Sequence, residues 1–156
     1  MPRKFACSNS VFVIDLPLTT NSRINAMEPN LHTAPHLLGV LEELKQREPI
    51  FHRPEPGTTR CDLESMIEET FWETGASGRR YSRAYGLAVL EQRSSEAVEE
   101  YWETSEFHCM EIAPDNYLLT YTLQQGKRLT RRATIWRRTA TGWKIVYHQG
   151  TVVAEL

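Results

Sequence analysis

Residues 130–153 hold two strand-like runs, TRRATIWRR and WKIVYHQGTVV, joined by Thr139-Ala140-Thr141-Gly142. β-Branched and aromatic residues recur at alternating positions along both, with turn-prone residues between them, as in an antiparallel hairpin. A two-residue turn at Ala140-Thr141, or a four-residue loop, sets Trp136 opposite Ile145. Side chains alternate along a strand, so this register puts Arg132, Thr134, Trp136, Ile145, Tyr147 and Gln149 on one face. Ala133, Ile135, Val146, His148 and Val152 take the other. A bulge would shift the count by one and exchange the faces. Both faces carry bulky apolar groups, so helices are expected over one and a partner subunit over the other.

The rest of the chain supplies those helices. Thr33 and Pro35 mark a helix entry, the threonine as cap and the proline in the first turn. Leu37, Val40, Leu41 and Leu44 then repeat on one helical face, and Pro49 ends the segment. After the punctuated loop HRPEPGTT, Thr59 and Asp62 have the spacing of a capping pair for a second helix, with Leu63, Met66 and Ile67 as its buried side. A short strand over 70–74, the turn Gly75-Ala76-Ser77-Gly78 and a returning strand through Tyr81 follow. Within that strand Phe71 and Glu73 point one way and Trp72 and Thr74 the other. Ser82 caps a third helix, in which Ala84, Leu87 and Leu90 face inward. Strands are predicted around 104–112 and 117–123 before the final hairpin. Helices grouped ahead of four long strands predict an α+β fold.

The 156 residues suit one domain with a real core, after an N-terminal extension over 1–32 that lacks helical periodicity and is expected to be poorly ordered. The domain is expected to span 33–156. A net charge of −2 argues against a general grip on nucleic acid or an anionic membrane surface. The three cysteines lack metal-type spacing and are odd in number, which disfavours a disulfide framework or zinc site and fits a cytoplasmic location. No apolar run approaches the ~20 residues of a membrane span. Asp15, Pro17 and Ser8-Asn9-Ser10 also interrupt the would-be signal segment FACSNSVFVIDLPL. No metal or cofactor is predicted.

LLGVLEELKQREPIFHRPE, FWETGASGRRYSR and ATIWRRTATGWKIVYHQGT together resemble the bacterial family called domain of unknown function 4440. The resemblance runs over roughly residues 35–153. It rests most on Phe71-x-Glu73-x-Gly75-x-Ser77-Gly78 and on Trp143 with His148-Gln149-Gly150-Thr151. That family lies in the superfamily of nuclear transport factor 2, ketosteroid isomerase and the SnoaL-type cyclases. The resemblance implies a strongly bent antiparallel sheet wrapped over three helices, an open apolar cavity inside the cone, and homodimers through the outer sheet face. It does not imply one reaction, since the superfamily holds isomerases, cyclases, dehydratases and silent binding modules.

Glu73 is the first catalytic candidate, as a general base whose pKa burial would raise. The alternative is a carboxylate paired with an arginine or bonded to the Ser77-Gly78 turn. His148 is the second candidate, although the bulge-free register turns it away from the cavity face. Trp72, Tyr121, Arg132, Trp136, Tyr147 and Gln149 form the expected lining for a small, largely apolar ligand, unless the aromatics only fill the core. Three functions stay open: a small-molecule-binding homodimer, a cofactor-independent isomerase, cyclase or dehydratase acting by proton transfer, and a dimerisation module without ligand. The basic run from Lys127 to Arg138 is expected to pair with acids between Glu96 and Glu106 rather than with nucleic acid.

Overall fold

The computed structural model describes residues 28–51, 58–95 and 101–154. By backbone contacts the chain divides after Asn30, and Leu31–Leu156 form the unit described below. Most of the predicted N-terminal extension, the loop around His52 and the acids Glu96, Glu99 and Glu100 lie outside the described residues.

A 3₁₀ turn at Pro35–Leu37 opens into helix α1 (Leu38–Lys45), and a second 3₁₀ turn covers Glu48–Phe51. Proline suits this entry because its fixed φ is already helical and it lacks a donor that would go unused. Thr33 is not the cap that its position suggests. The preceding residue of the turn is Ala34, without a side-chain cap, and the Thr33 hydroxyl instead accepts from the Cys109 backbone N–H at 2.9 Å. Helix α2 (Arg60–Met66) does start on the expected reciprocal cap: Asp62 N donates to Thr59 Oγ1 at 3.2 Å and Thr59 N to Asp62 Oδ2 at 2.9 Å. It stops one residue sooner than its apolar spacing predicts, because Ile67 already has extended dihedrals and begins strand β1 (Ile67–Thr74). Strand β2 (Arg80–Ser82) and helix α3 (Arg83–Ser95) follow, with the Ser82 hydroxyl accepting from Tyr85 N at 3.4 Å. Leu87 and Leu90 of α3 are buried as predicted, whereas Ala84 is exposed.

The last four strands are β3 (Trp102–Ala113), β4 (Asn116–Gln125), β5 (Arg128–Thr139) and β6 (Gly142–Val152). The six strands form one sheet in the order β2-β1-β6-β5-β4-β3. The β1–β6 pair is parallel and the other pairs are antiparallel. A parallel neighbour needs a long crossover. Here β2, α3 and the β3–β5 meander provide it.

The final hairpin turns at Ala140-Thr141 and sets Trp136 opposite Ile145, as predicted. One step further the register shifts: Ile135 faces Tyr147, leaving Val146 as the extra residue of a bulge. From Tyr147 onward every side chain of β6 has therefore changed face. The inner face carries the rung Cys109, Leu119, Thr134, His148, Glu73, Tyr81 across all six strands. The next rung, on the outer face, reads Met110, Leu118, Ile135, Tyr147, Trp72. The bulge-free face assignment thus holds for Trp136 and Ile145 but is inverted for Tyr147, His148 and Gln149.

The core lies between the inner face and the helices, where Leu44, Leu63, Leu87, Leu119 and Ile145 are fully buried. Two indoles pin the first helical segment to the sheet. Trp143 Nε1 donates to Glu43 Oε2 at 2.8 Å, and Trp136 Nε1 donates to Glu48 Oε1 at 2.9 Å. The basic strand β5 finds its acids in three places: Arg131 pairs with Glu106, Arg137 with Glu68 at 3.2 Å and Arg138 with Glu43 at 3.7 Å. The capping pair supplies a direct check. Thr59→Ala should cost about 1 kcal/mol of stability in urea denaturation, while Thr33→Ala should leave the helicity of α1 unchanged by circular dichroism.

Candidate functional site

A cavity of about 360 Å³ opens on the inner face, between β1, β2 and α3 on one side and β5 and β6 on the other. This is at the small end of the ~300–1,000 Å³ typical of ligand pockets. Phe51 and Phe71 provide its buried apolar surface, and Tyr81 and Tyr85 form an aromatic wall with ring centroids 4.8 Å apart and planes at 12°. Glu73, Arg93, Arg132 and His148 bring charge and hydrogen-bonding groups into the same space, and Arg128 adds a third guanidinium. The lining is therefore mixed rather than apolar.

Glu73 is carried into the cavity by strand alternation from the buried Phe71, and it neighbours His148 across the parallel β1–β6 pair. No hydrogen bond or ion pair of its carboxylate occurs among the described residues. Burial raises its pKa above the ordinary carboxylate value, and the charges of Arg93 and Arg132 oppose that rise. Arg93 is held by its own bond, Nη1 donating to the Phe51 carbonyl at 2.8 Å.

His148 is buried and stacks on Phe51, centroids 3.9 Å apart and planes at 11°. Its Nε2 lies 3.4 Å from Arg132 Nη1 and its Nδ1 lies 3.0 Å from Thr134 Oγ1. A guanidinium can only donate, so a neutral ring in this setting accepts at Nε2 and donates from Nδ1 to the threonine. Behind Thr134 lies Glu48, whose carboxylate accepts from the Trp136 indole and is favoured in its charged form by Trp136, Thr134 and Tyr121, in that order.

Glu48 is 1% exposed, and its Oε2 makes no hydrogen bond of normal geometry. Desolvation outweighs its polar neighbours and the charge of Arg132, and raises its pKa from 4.5 to about 7. The same burial, with the charge of Glu48 beside it, pushes the Tyr121 phenol well above its ordinary value. A buried acid thus stands behind the threonine that contacts His148, the histidine facing the cavity.

Of the residues singled out from the sequence, Glu73, Arg132 and His148 meet in the cavity. Trp136 and Tyr121 stand behind it as core, 1% and 2% exposed, with Tyr121 stacked on Phe107 at 5.0 Å. Trp72, Tyr147 and Gln149 belong to the outer face. The Trp72 ring sits 4.6 Å from that of Tyr147, whose hydroxyl donates to Gln149 Oε1 at 2.7 Å. The bulge at Val146 explains the misplacement of Tyr147 and Gln149, and the alternation that turns Glu73 inward turns Trp72 out. Sequence reasoning missed Glu48, Phe51, Tyr81, Tyr85 and Arg93. The apolar Ile50-Phe51 directly after Glu48-Pro49 was the available sign that a carboxylate enters the core there.

No protein-family model matches the chain, and no curated protein does. Solved structures match its fold. A protein of unknown function from the domain of unknown function 3225 family of Pectobacterium atrosepticum aligns at 16% identity over 79% of this chain and 100% of that one, with a TM-score of 0.57. A nuclear transport factor 2-like protein from Cytophaga hutchinsonii aligns at 12% identity over 78% and 100%, with a TM-score of 0.54. An uncharacterised protein with a cystatin-like fold from Caulobacter vibrioides aligns at 13% identity over 62% and 78%, with a TM-score of 0.53. The chain thus has the nuclear transport factor 2-like, cystatin-like α+β fold, a curled sheet over three helices.

The raised Glu48 pKa has a stability consequence. An acid that binds its proton more tightly when folded makes stability fall as pH rises from the unfolded value near 4.5 to the folded value of about 7. The span corresponds to about 3 kcal/mol. Glu48→Gln cannot ionise. In urea denaturation from pH 4.5 to pH 8, wild type should lose up to about that much relative to the variant, and parallel profiles would rule out the assignment.

Proposed function

We propose that the chain is a homodimeric small-molecule-binding domain whose ligand occupies the cavity between Phe51, Phe71, Tyr81 and Tyr85. One observation carries the reading: the space under the curled sheet is open, about 360 Å³, and polar groups converge on it from four elements. A dimerisation module with no ligand would be expected to fill that space with side chains. Placement in the domain of unknown function 4440 family belongs to the same proposal, on the Phe71 to Gly78 block and the His148 to Thr151 run. The homodimer is supported by the outer rung Met110, Leu118, Ile135, Tyr147, Trp72, an apolar stripe whose ends are 43% and 45% exposed.

A second reading, a cofactor-independent enzyme acting by proton transfer, is favoured by one further observation. Glu73 lies in the cavity without an ion-pair partner among the described residues, its pKa raised by burial, next to a histidine on the neighbouring strand. A carboxylate and an imidazole side by side form a base and an acid for moving one proton between two positions of a bound molecule.

Mass spectrometry of gently purified protein under native conditions is expected to detect a dimer carrying a non-covalent small molecule. Ligand-free protein that also binds nothing from a metabolite library would contradict the binding reading. Ile135→Glu should convert the dimer to a monomer in light scattering, and a monomeric wild type at micromolar concentration would remove the interface. Once a substrate is known, Glu73→Gln should abolish turnover with the fold intact if the enzyme reading holds.

A further inference from the structure

Arg132 differs from three other arginines of β5. Arg131, Arg137 and Arg138 each have a carboxylate partner. Arg132 has none within ion-pair distance among the described residues. Its Nε donates to Thr130 Oγ1 at 3.0 Å and its Nη1 approaches His148 Nε2 at 3.4 Å, and neither group is an anion. Partial burial destabilises its charged form and lowers its pKa; the nearby charges of Arg128 and Arg93 add to the fall, and Tyr121 and Glu73 oppose it. A desolvated guanidinium with donors to spare is an incomplete arrangement, since such a group is ordinarily matched by a carboxylate or phosphate.

The backbone beneath it is bare. A Cβ at Gly150 would lie 3.0 Å from Arg132 Nη1 and 3.2 Å from its Cζ, so glycine is what lets the guanidinium lie this close to β6. Among the described residues the cavity lining carries three guanidiniums, of Arg93, Arg128 and Arg132, against the one carboxylate of Glu73. The excess is positive, and Glu73 in the same space disfavours a dianion. Around this charged end stand the flat aromatic surfaces of Phe51, Phe71, Tyr81 and Tyr85.

We propose that Arg132 is the anchor of a carboxylate-binding site, and that the cavity takes a small planar organic acid whose single negative charge pairs with this guanidinium while its ring lies among the four aromatics. Gly150 is a positioning residue for the anchor. This deepens the small-molecule-binding reading and rests on it, naming the chemical class of the ligand.

Benzoate, benzamide and inorganic phosphate, titrated at constant ionic strength and followed by NMR shifts, separate the outcomes. Benzoate should bind saturably, at least tenfold more tightly than the isosteric but neutral benzamide and than phosphate. Arg132→Gln should weaken benzoate at least tenfold and leave benzamide unchanged. Gly150→Ala keeps the charge but displaces the guanidinium, and should also weaken benzoate selectively. It decides the matter if Arg132→Gln fails to melt cooperatively. Benzamide binding as tightly as benzoate would overturn the anion site and leave the cavity reading intact. Phosphate binding better than benzoate would overturn the carboxylate class. Benzoate that does not bind, or that binds both variants as it binds wild type, would overturn the anchor, whatever ligand the purified protein carries.

Discussion

The bond from the Trp136 indole to Glu48 is the contact on which the arrangement of this domain depends. A carboxylate placed in a core costs several kcal/mol unless it is hydrogen-bonded or protonated. Here it accepts from an indole that is itself 1% exposed, and desolvation holds its pKa near 7. The bond joins the turn after α1 to the middle of β5. With Trp143 bonded to Glu43, it fixes the second half of the first helical segment over the sheet. Phe51, three residues on, is thereby set against His148, and both rings line the cavity.

The second constraint is one inserted residue. Without the bulge at Val146, Tyr147 and Gln149 would face inward opposite Thr134 and Arg132, and His148 would face outward opposite Ala133. With it, the inner rung grades from Cys109 and Leu119 under α1 to Thr134, His148 and Glu73 at the cavity, while the outer rung is apolar from Met110 to Trp72. A bulge that re-aims side chains beside a site is a recurrent device of antiparallel sheets. The same step gives the sheet an inner face that is polar at the cavity and an outer face with an apolar rung.

Much of the fold was legible because its signals are local. Alternation in β4 and β5, the Thr59-Asp62 cap and the Leu37 to Leu44 stripe each specify an element from a few adjacent residues. Where the local signal failed, a distant partner had taken over: Thr33 bonds to β3 instead of capping α1, and Ile67 leaves the helix to join the sheet. The site was less legible. Glu73 could be placed by counting from Phe71, but the position of His148 depends on a bulge that strand propensity does not encode. Glu48, Arg93 and Tyr85 come together only through tertiary packing of segments far apart in sequence. The basic run of β5 reads as one uniform feature, yet its members part company in the fold, with Arg132 turned inward and Arg131 and Arg137 on the outer side.

Which face of β6 meets Phe51 decides what lines the cavity. Nuclear Overhauser contacts between the Phe51 and His148 rings, together with contacts between the Tyr147 and Trp72 rings, are the predicted result, from stacks with centroids 3.9 Å and 4.6 Å apart. Contacts between Phe51 and Tyr147 with His148 beside Trp72 would show an unbulged strand, and would contradict the assignment of His148 and Arg132 to a common cavity.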